Sequence, residues 1–295
     1  MKGILGVAIG GIFLLGAGGA FATPPGPGQC FNGASNPGPG FSGCDSGICA
    51  TDGPECAKDD TGCVPDTKNH EKCSHGVVVA FDKAIQCVIK CHCKQASALL
   101  AGKTFVEETC EGNNPPKNNG CKDKLDAAIS KLTAAGICSS TQLTGAAVEE
   151  STLFAPKSNS LSLDAQNGGT FCDSTSGSMI MTSDPDDAGW KPNSKGMLKC
   201  ECTVGKNLGK LVHAALICHT KLAHSFASGK AFDEEACEEH NAQSSAALDK
   251  FNHARDVIIG KGVCPPCQDA AHQNTLAANA LGQVDAANVI AYPCP

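Results

Sequence analysis

The chain has 295 residues, a formal net charge of -7 and a pI near 5.7, so electrostatics give no reason to expect nucleic acid or an anionic membrane as a partner. Its 20 Cys, all downstream of Ala22, far exceed cytosolic usage, and an even count predicts a disulfide framework of an exported chain. Aromatic residues make up only 4%, with single residues Trp190 and Tyr292, so cross-links are expected to offset a thin core.

The N-terminus reads as an export signal. "MKGILGVAIGGIFLLGAGGAFA" carries Lys2, an apolar run from Ile4 to Leu15 and the small-x-small ending Ala20-Phe21-Ala22, which predicts a signal peptide over 1 to 22 and a mature chain from Thr23. The run is short and rich in Gly compared with a membrane span. The nearest Cys is Cys30, so a lipid anchor directly after the run is not indicated, and no other segment reads as a span. Residues 23 to 56 form a Cys, Gly and Pro-rich segment.

Beyond it the chain repeats itself. "GKTFVEETCE" (102 to 111) and "GKAFDEEACE" (229 to 238) agree at seven of ten positions, and at the same offset of 127 "DDTGCVPDTKNHEKC" (59 to 73) aligns with "DDAGWKPNSKGMLKC" (186 to 200). "GIC" (136 to 138) matches "GVC" (262 to 264) after a one-residue slip, Cys44-Asp45-Ser46 echoes Cys172-Asp173-Ser174, and "DAQNGGTFC" (164 to 172) resembles "DAANVIAYPC" (285 to 294). Two tandem units are expected, over 57 to 138 and 184 to 267, joined by a polar connection over 139 to 183 and followed by a partial repeat over 268 to 295.

Each unit has helical periodicity. Phe81, Ile85, Val88 and Leu99 in the first copy, and Leu208, Leu211, Val212, Ala215, Leu216, Leu222 and Phe226 in the second, recur at three and four residue steps. Gly102 and Gly229 read as the ends of these helices, and Thr104 with Glu107 as a capping box opening the next, whose first apolar residue is Phe105. Leu125, Ile129 and Leu132, and then Leu248, Phe251 and Ile258, mark the returning helices. The predicted fold is mainly α: two disulfide-stapled antiparallel helical hairpins, with Gly, Pro, Ser and Thr-rich connections read as loop or short strand.

The duplication constrains the bridges. Cys73, Cys91, Cys110 and Cys138 recur as Cys200, Cys218, Cys237 and Cys264. Cys91 and Cys110 flank the Gly102 turn and can staple the hairpin, which leaves Cys73 for Cys138. Cys87 and Cys121 are replaced together by Ala214 and Ala247, which suggests one bridge. Cys202 and Cys267, unmatched in the first copy, are expected to pair by the same reasoning, with each half closing internally. Spacing assigns no partner to Cys30, Cys44, Cys49, Cys56, Cys63, Cys93, Cys172 or Cys294.

Motifs that carry chemistry are few. "CVIKCH" (87 to 92) has one residue too many between its Cys for c-type haem attachment, and its counterpart "AALICH" keeps one Cys. His92 and His219 recur beside a stapling Cys, so a transition-metal site is an alternative; the simpler reading is a partly exposed His covering the hairpin, since His213 and His224 align with Gln86 and Ser97 and offer no repeated second ligand. "CPPC" (264 to 267) has thiol oxidoreductase spacing but follows a helical segment, "AGKT" (101 to 104) lacks the leading Gly of a phosphate loop, and "DPDDAG" (184 to 189) lacks the closing Glu of an EF-hand. The Glu pairs of "EETC" and "EEAC" read as helix first-turn residues favoured by the dipole.

The pattern "KCECTVGKNLGKL…CH…GKAFDEEACE…CPPC" resembles secreted Cys-rich helical proteins of environmental delta-proteobacteria, a likeness that implies an exported repeat protein and transfers no activity. The function expected first is a non-enzymatic binding, adhesion or envelope module without a cofactor, facing an unknown protein or envelope surface ligand. The alternatives are an extracytoplasmic metal-binding protein using His92 and His219, and a thiol-disulfide oxidoreductase using Cys264 and Cys267.

Overall fold

The computed structural model describes residues 61 to 176 and 188 to 294. The expected signal peptide, the segment with Cys30, Cys44, Cys49 and Cys56, and most of "DPDDAG" lie outside the described residues. The fold is mainly helical. In order the helices are α1 (Lys68–Leu100), α2 (Glu107–Glu111), α3 (Cys121–Ala134), α4 (Ser140–Leu153), α5 (Leu163–Thr170), α6 (Lys195–Ala227), α7 (Glu235–Glu238), α8 (Ala247–Ile259) and α9 (Ala270–Ala291). No described helix is long and apolar enough to cross a membrane.

The two long helices, α1 and α6, have 33 residues each and begin alike: the Thr67 hydroxyl accepts from the His70 amide, and the Ser194 hydroxyl from the Met197 amide. They also end alike. The amides of Gly102 and Lys103 donate to Leu99 and Ala98, those of Gly229 and Lys230 to Phe226 and Ser225, and both Gly residues have positive φ (65° and 68°), so each helix closes in a Schellman turn that only Gly enters without strain.

α1 and α6 pack antiparallel. Glu71 meets His224, Asp82 meets His213 and Cys93 bonds to Cys202, one series rising as the other falls. Gly205 and Gly209 let the axes approach, since a Cβ at Gly209 would come within 2.9 Å of Ile89 Cδ1. α3 and α4 cover α1 around Phe81, Val88 and Leu125, while α8 and α9 cover α6 around Leu211, Phe251 and Leu281.

Where the sequence suggested loop or short strand, over 139 to 183, the chain forms α4 and α5. Ser139 and Gln142 make a reciprocal capping box, and the Ser162 hydroxyl accepts from the Ala165 amide, so local caps start helices in a segment of weak periodicity. The expected capping box at Thr104 is replaced: α2 starts at Glu107 after Val106, with no side-chain cap, because the Glu107 side chain is buried against α1.

Eight disulfides lie among the described residues, with no free Cys. Cys91–Cys110 and Cys218–Cys237 each span 19 positions, Cys73–Cys138 and Cys200–Cys264 span 65 and 64, and Cys87 bonds to Cys121. The expected Cys202–Cys267 pair does not form. Cys202 is two positions after Cys200, about 200° around the helix, so Cys200 faces Cys264 beyond α8 while Cys202 faces Cys93 on α1. Cys267 bonds to Cys172 because Gln268 Nε2 ties that turn to the carbonyls of Gly169 and Thr170. Nor does each half close internally: Cys93–Cys202 and Cys63–Cys294 join them.

Glu201 is an unusual core residue. It is fully buried near Asp173, and neither carboxylate oxygen has a hydrogen-bond partner. Burial, and secondarily the Asp173 charge, pushes its carboxyl from 4.5 up to about 8. With the folded value raised, the folded chain keeps a proton that the unfolded chain gives up, so this contribution is full below 4.5 and lost as pH rises through about 8. Thermal melts should show Glu201→Gln gaining on the natural chain between about pH 5 and about pH 9; a constant difference would mean that Glu201 ionises freely in the fold.

The bridges rank by what they hold. Replacing Cys87 and Cys121 together by Ala creates the pair already present as Ala214 and Ala247, so calorimetry should show a smaller loss than for Cys91→Ser, which removes a bridge of the class whose loss costs about 2 to 5 kcal/mol.

Candidate metal centres

The staples of the two long helices place the site residues. His92 directly follows Cys91, whose partner Cys110 directly precedes Glu111; His219 follows Cys218, whose partner Cys237 precedes Glu238. Each disulfide therefore clamps an imidazole on a long helix against a carboxylate on the short helix beyond the turn. One helical turn earlier on that short segment, Glu107 and Glu234 add a second carboxylate on the same side. Asp164 from α5 and Asp285 from α9 add a third.

The two resulting clusters match residue for residue. His92 Nε2 lies 3.4 Å from Glu111 Oε2, 3.5 Å from Asp164 Oδ1 and 3.9 Å from Glu107 Oε1. His219 Nε2 lies 3.1 Å from Glu238 Oε1, 3.4 Å from Asp285 Oδ1 and 3.6 Å from Glu234 Oε1. Facing atoms of His92, Glu107 and Glu111 fall within 4.8 Å of one another, as do those of His219, Glu238 and Asp285. The first cluster is closed, its side chains 1 to 8% exposed; the second is more open at Asp285, whose side chain is 23% exposed.

Three carboxylates around one imidazole in a water-poor pocket are costly: even with the imidazole protonated, the formal charge is -2. Glu111 Oε2 and Glu238 Oε1 are buried without a hydrogen-bond partner, each directed at its imidazole. A divalent cation would offset this charge, and the ligand-to-ligand spacings suit one. Four ligands about 2.0 to 2.2 Å from a tetrahedral ion lie about 3.3 to 3.6 Å apart.

The fold assembles each cluster from both halves of the chain. α5, which brings Asp164 to the first cluster, is tied to the second half by Asn167 Nδ2 donating to the Ala188 carbonyl and by Cys172–Cys267. α9, which brings Asp285 to the second cluster, is tied to the first half by Asn288 Nδ2 donating to the Thr61 carbonyl and by Cys63–Cys294. Gly62 and Gly189, with φ of 112° and 111°, let the following amides of Cys63 and Trp190 donate to the carbonyls of Tyr292 and Phe171. Cys202, level with His92 through its bond to Cys93, precedes His219 by roughly 17 residues, which sets the clusters about 25 Å apart along the helix axis.

The structure corrects the reading of His92 and His219 as partly exposed: they are 4% and 1% exposed. It also corrects the statement that no second ligand repeats, because the repeated partners are acidic. Glu107 and Glu234, read as first-turn residues serving the helix dipole, face the imidazoles, and Glu111 and Glu238 join them there. The signal was present in the sequence, since the Glu residues are identities within "GKTFVEETCE" and "GKAFDEEACE", and Asp164 and Asp285 open the two tail segments. His213 and His224 sit elsewhere, paired with Asp82 and Glu71 between α1 and α6. Cys264 and Cys267 bond to Cys200 and Cys172, so the C-x-x-C pair is not an internal disulfide. No protein-family model, curated protein or solved structure matches this chain.

Proposed function

We propose that this is an exported, disulfide-framed protein that binds two divalent first-row transition-metal ions, one in each His-Glu-Glu-Asp cluster. The observation that carries the reading is the recurrence of the same four residue types, at matching repeat positions, around two buried imidazoles. A single imidazole with three carboxylates favours first-row divalent ions such as Zn2+, Mn2+ or Fe2+, whereas Ca2+ and Mg2+ prefer all-oxygen ligand sets and Cu+ prefers sulfur. With three carboxylates and a neutral imidazole, a divalent ion brings the formal charge to -1.

Burial of the donors supports a holding role, structural or storage, over catalysis, because a catalytic ion keeps a position open to substrate. The metal-binding reading is compatible with the envelope or binding module expected from the sequence: ions bound between segments of both halves would hold such a module in one shape. The density of disulfides and the N-terminal pattern support export.

Untagged protein oxidised in a bacterial periplasm and equilibrated with Zn2+ or with Mn2+ should carry about two equivalents of one of these ions by elemental analysis. Glu111→Gln and Glu238→Gln should each remove one equivalent, and their combination both. A full-length natural chain that retains neither ion would overturn the reading.

Stability should change sign with metal. Without metal, Glu111→Gln relieves a buried charge and should melt at or above the natural chain; with saturating metal, the natural chain gains ligand-linked stability, about 2.7 kcal/mol at a free concentration a hundredfold above Kd, and should melt higher. The same ordering in both conditions would leave the cluster a plain ion-pair network. A chelator should also strip the second centre, with its partly exposed Asp285, faster than the first, and Glu238→Gln identifies which equivalent leaves.

A further inference from the structure

Two disulfides of the first half lie against each other: Cys91 Sγ is 3.6 Å from Cys121 Sγ, although Cys91 bonds to Cys110 and Cys121 to Cys87. Cys91 and Cys121 are buried at 1% and 0% exposure, whereas Cys87 is only half-buried, with the Lys124 ammonium 4.0 Å from its sulfur. One end of this sulfur array thus meets solvent beside a positive charge, and the other, Cys110, adjoins the cluster residue Glu111. The second half keeps Cys218–Cys237 but has Ala214 and Ala247 at the outer positions, so it lacks the outer disulfide; Cys110 and Cys237 are half-buried alike, and the difference between the halves is this second bridge.

We propose that Cys87 is a reaction site for small thiols, and that thiol-disulfide exchange passed inward from it opens the first metal centre while sparing the second. The proposal rests on the metal-binding reading for its last step only. An external thiolate, attracted by Lys124, attacks Cys87 Sγ; a mixed disulfide forms and Cys121 leaves as a thiolate. Cys121 then attacks the neighbouring Cys91 Sγ, the Cys91–Cys110 bond breaks, Cys91–Cys121 forms, and Cys110 leaves as the thiolate. A second external thiolate resolves the mixed disulfide at Cys87 and departs as the oxidised thiol dimer. In sum, two external thiols are oxidised, one protein disulfide is reduced, and Cys87 and Cys110 end as thiols. The link that clamps α2 to α1 is then lost, and Glu111 is no longer held at His92.

The test is limited reduction of the folded, metal-loaded chain with glutathione, followed by acid quench, alkylation, peptide mapping and metal counting. The expected products are a Cys91–Cys121 linked peptide, alkylated Cys87 and Cys110, intact Cys218–Cys237, and loss of one metal equivalent. The paired variant Cys87→Ala with Cys121→Ala, which creates the residues already present in the second half, should keep both equivalents at the same dose. Alkylated Cys87 and Cys121 with Cys91–Cys110 intact would overturn the exchange. A Cys91–Cys121 link with both ions retained would overturn the gating step. Because the mapping needs no metal, failure of the metal-binding reading would appear separately, as absence of metal before any thiol is added.

Discussion

The antiparallel packing of α1 against α6 is the contact on which the rest of the molecule depends. The helices approach closely because Gly205 and Gly209 present no side chain to Ile89, and they are fixed in register by Cys93–Cys202 near one end and the Glu71 to His224 pair near the other. A turn-by-turn shift of this pair would carry the first His away from α5 and the second from α9. Each imidazole sits on a long helix, while the Asp facing it comes from a segment anchored to the opposite half. The register of one helix pair therefore sets the geometry of both clusters.

Disulfides do in this chain what a large aromatic core does elsewhere. Many buried side chains of the core are Val, Ala, Leu and Cys, with Phe81, Phe171, Phe251 and Tyr292 the large aromatic exceptions. Small apolar side chains supply limited burial energy, and a core that also encloses ionisable groups must hold them against their tendency to reach water. The repeated staples lie beside the acidic clusters, between a residue preceding the His and a residue preceding the second Glu. The strongest local constraint is thus placed where like charges would otherwise push the short helix away. The same economy leaves Glu201 in the core as a carboxyl whose charged form is disfavoured.

The duplication was legible from identities alone, and with it the helical class, the Gly turns and the pairings of the repeated Cys quartet and of Cys87 with Cys121, because local helix geometry fixes which Cys lie on one face across a turn. The segments that became α4 and α5 were missed because their starts depend on caps and their burial on neighbours distant in sequence. The acidic partners of His92 and His219 were visible as repeated letters. Their direction was not, since a Glu in a helix first turn satisfies the dipole whether it faces water or a buried imidazole.

Sequence by itself determined what is local and periodic: helix ends at Gly102 and Gly229, the stripe that faces the core, and a quartet of Cys whose intervals agree between copies to within one residue. Tertiary structure alone decided which half supplies the third carboxylate, why Cys202 turns to Cys93, and how Cys267 comes to meet Cys172. The physical reason is that a repeat specifies contacts within its own unit, whereas the packing of one unit on another follows from the shapes and exposed faces of both. The register of α1 on α6 arises only when those faces meet.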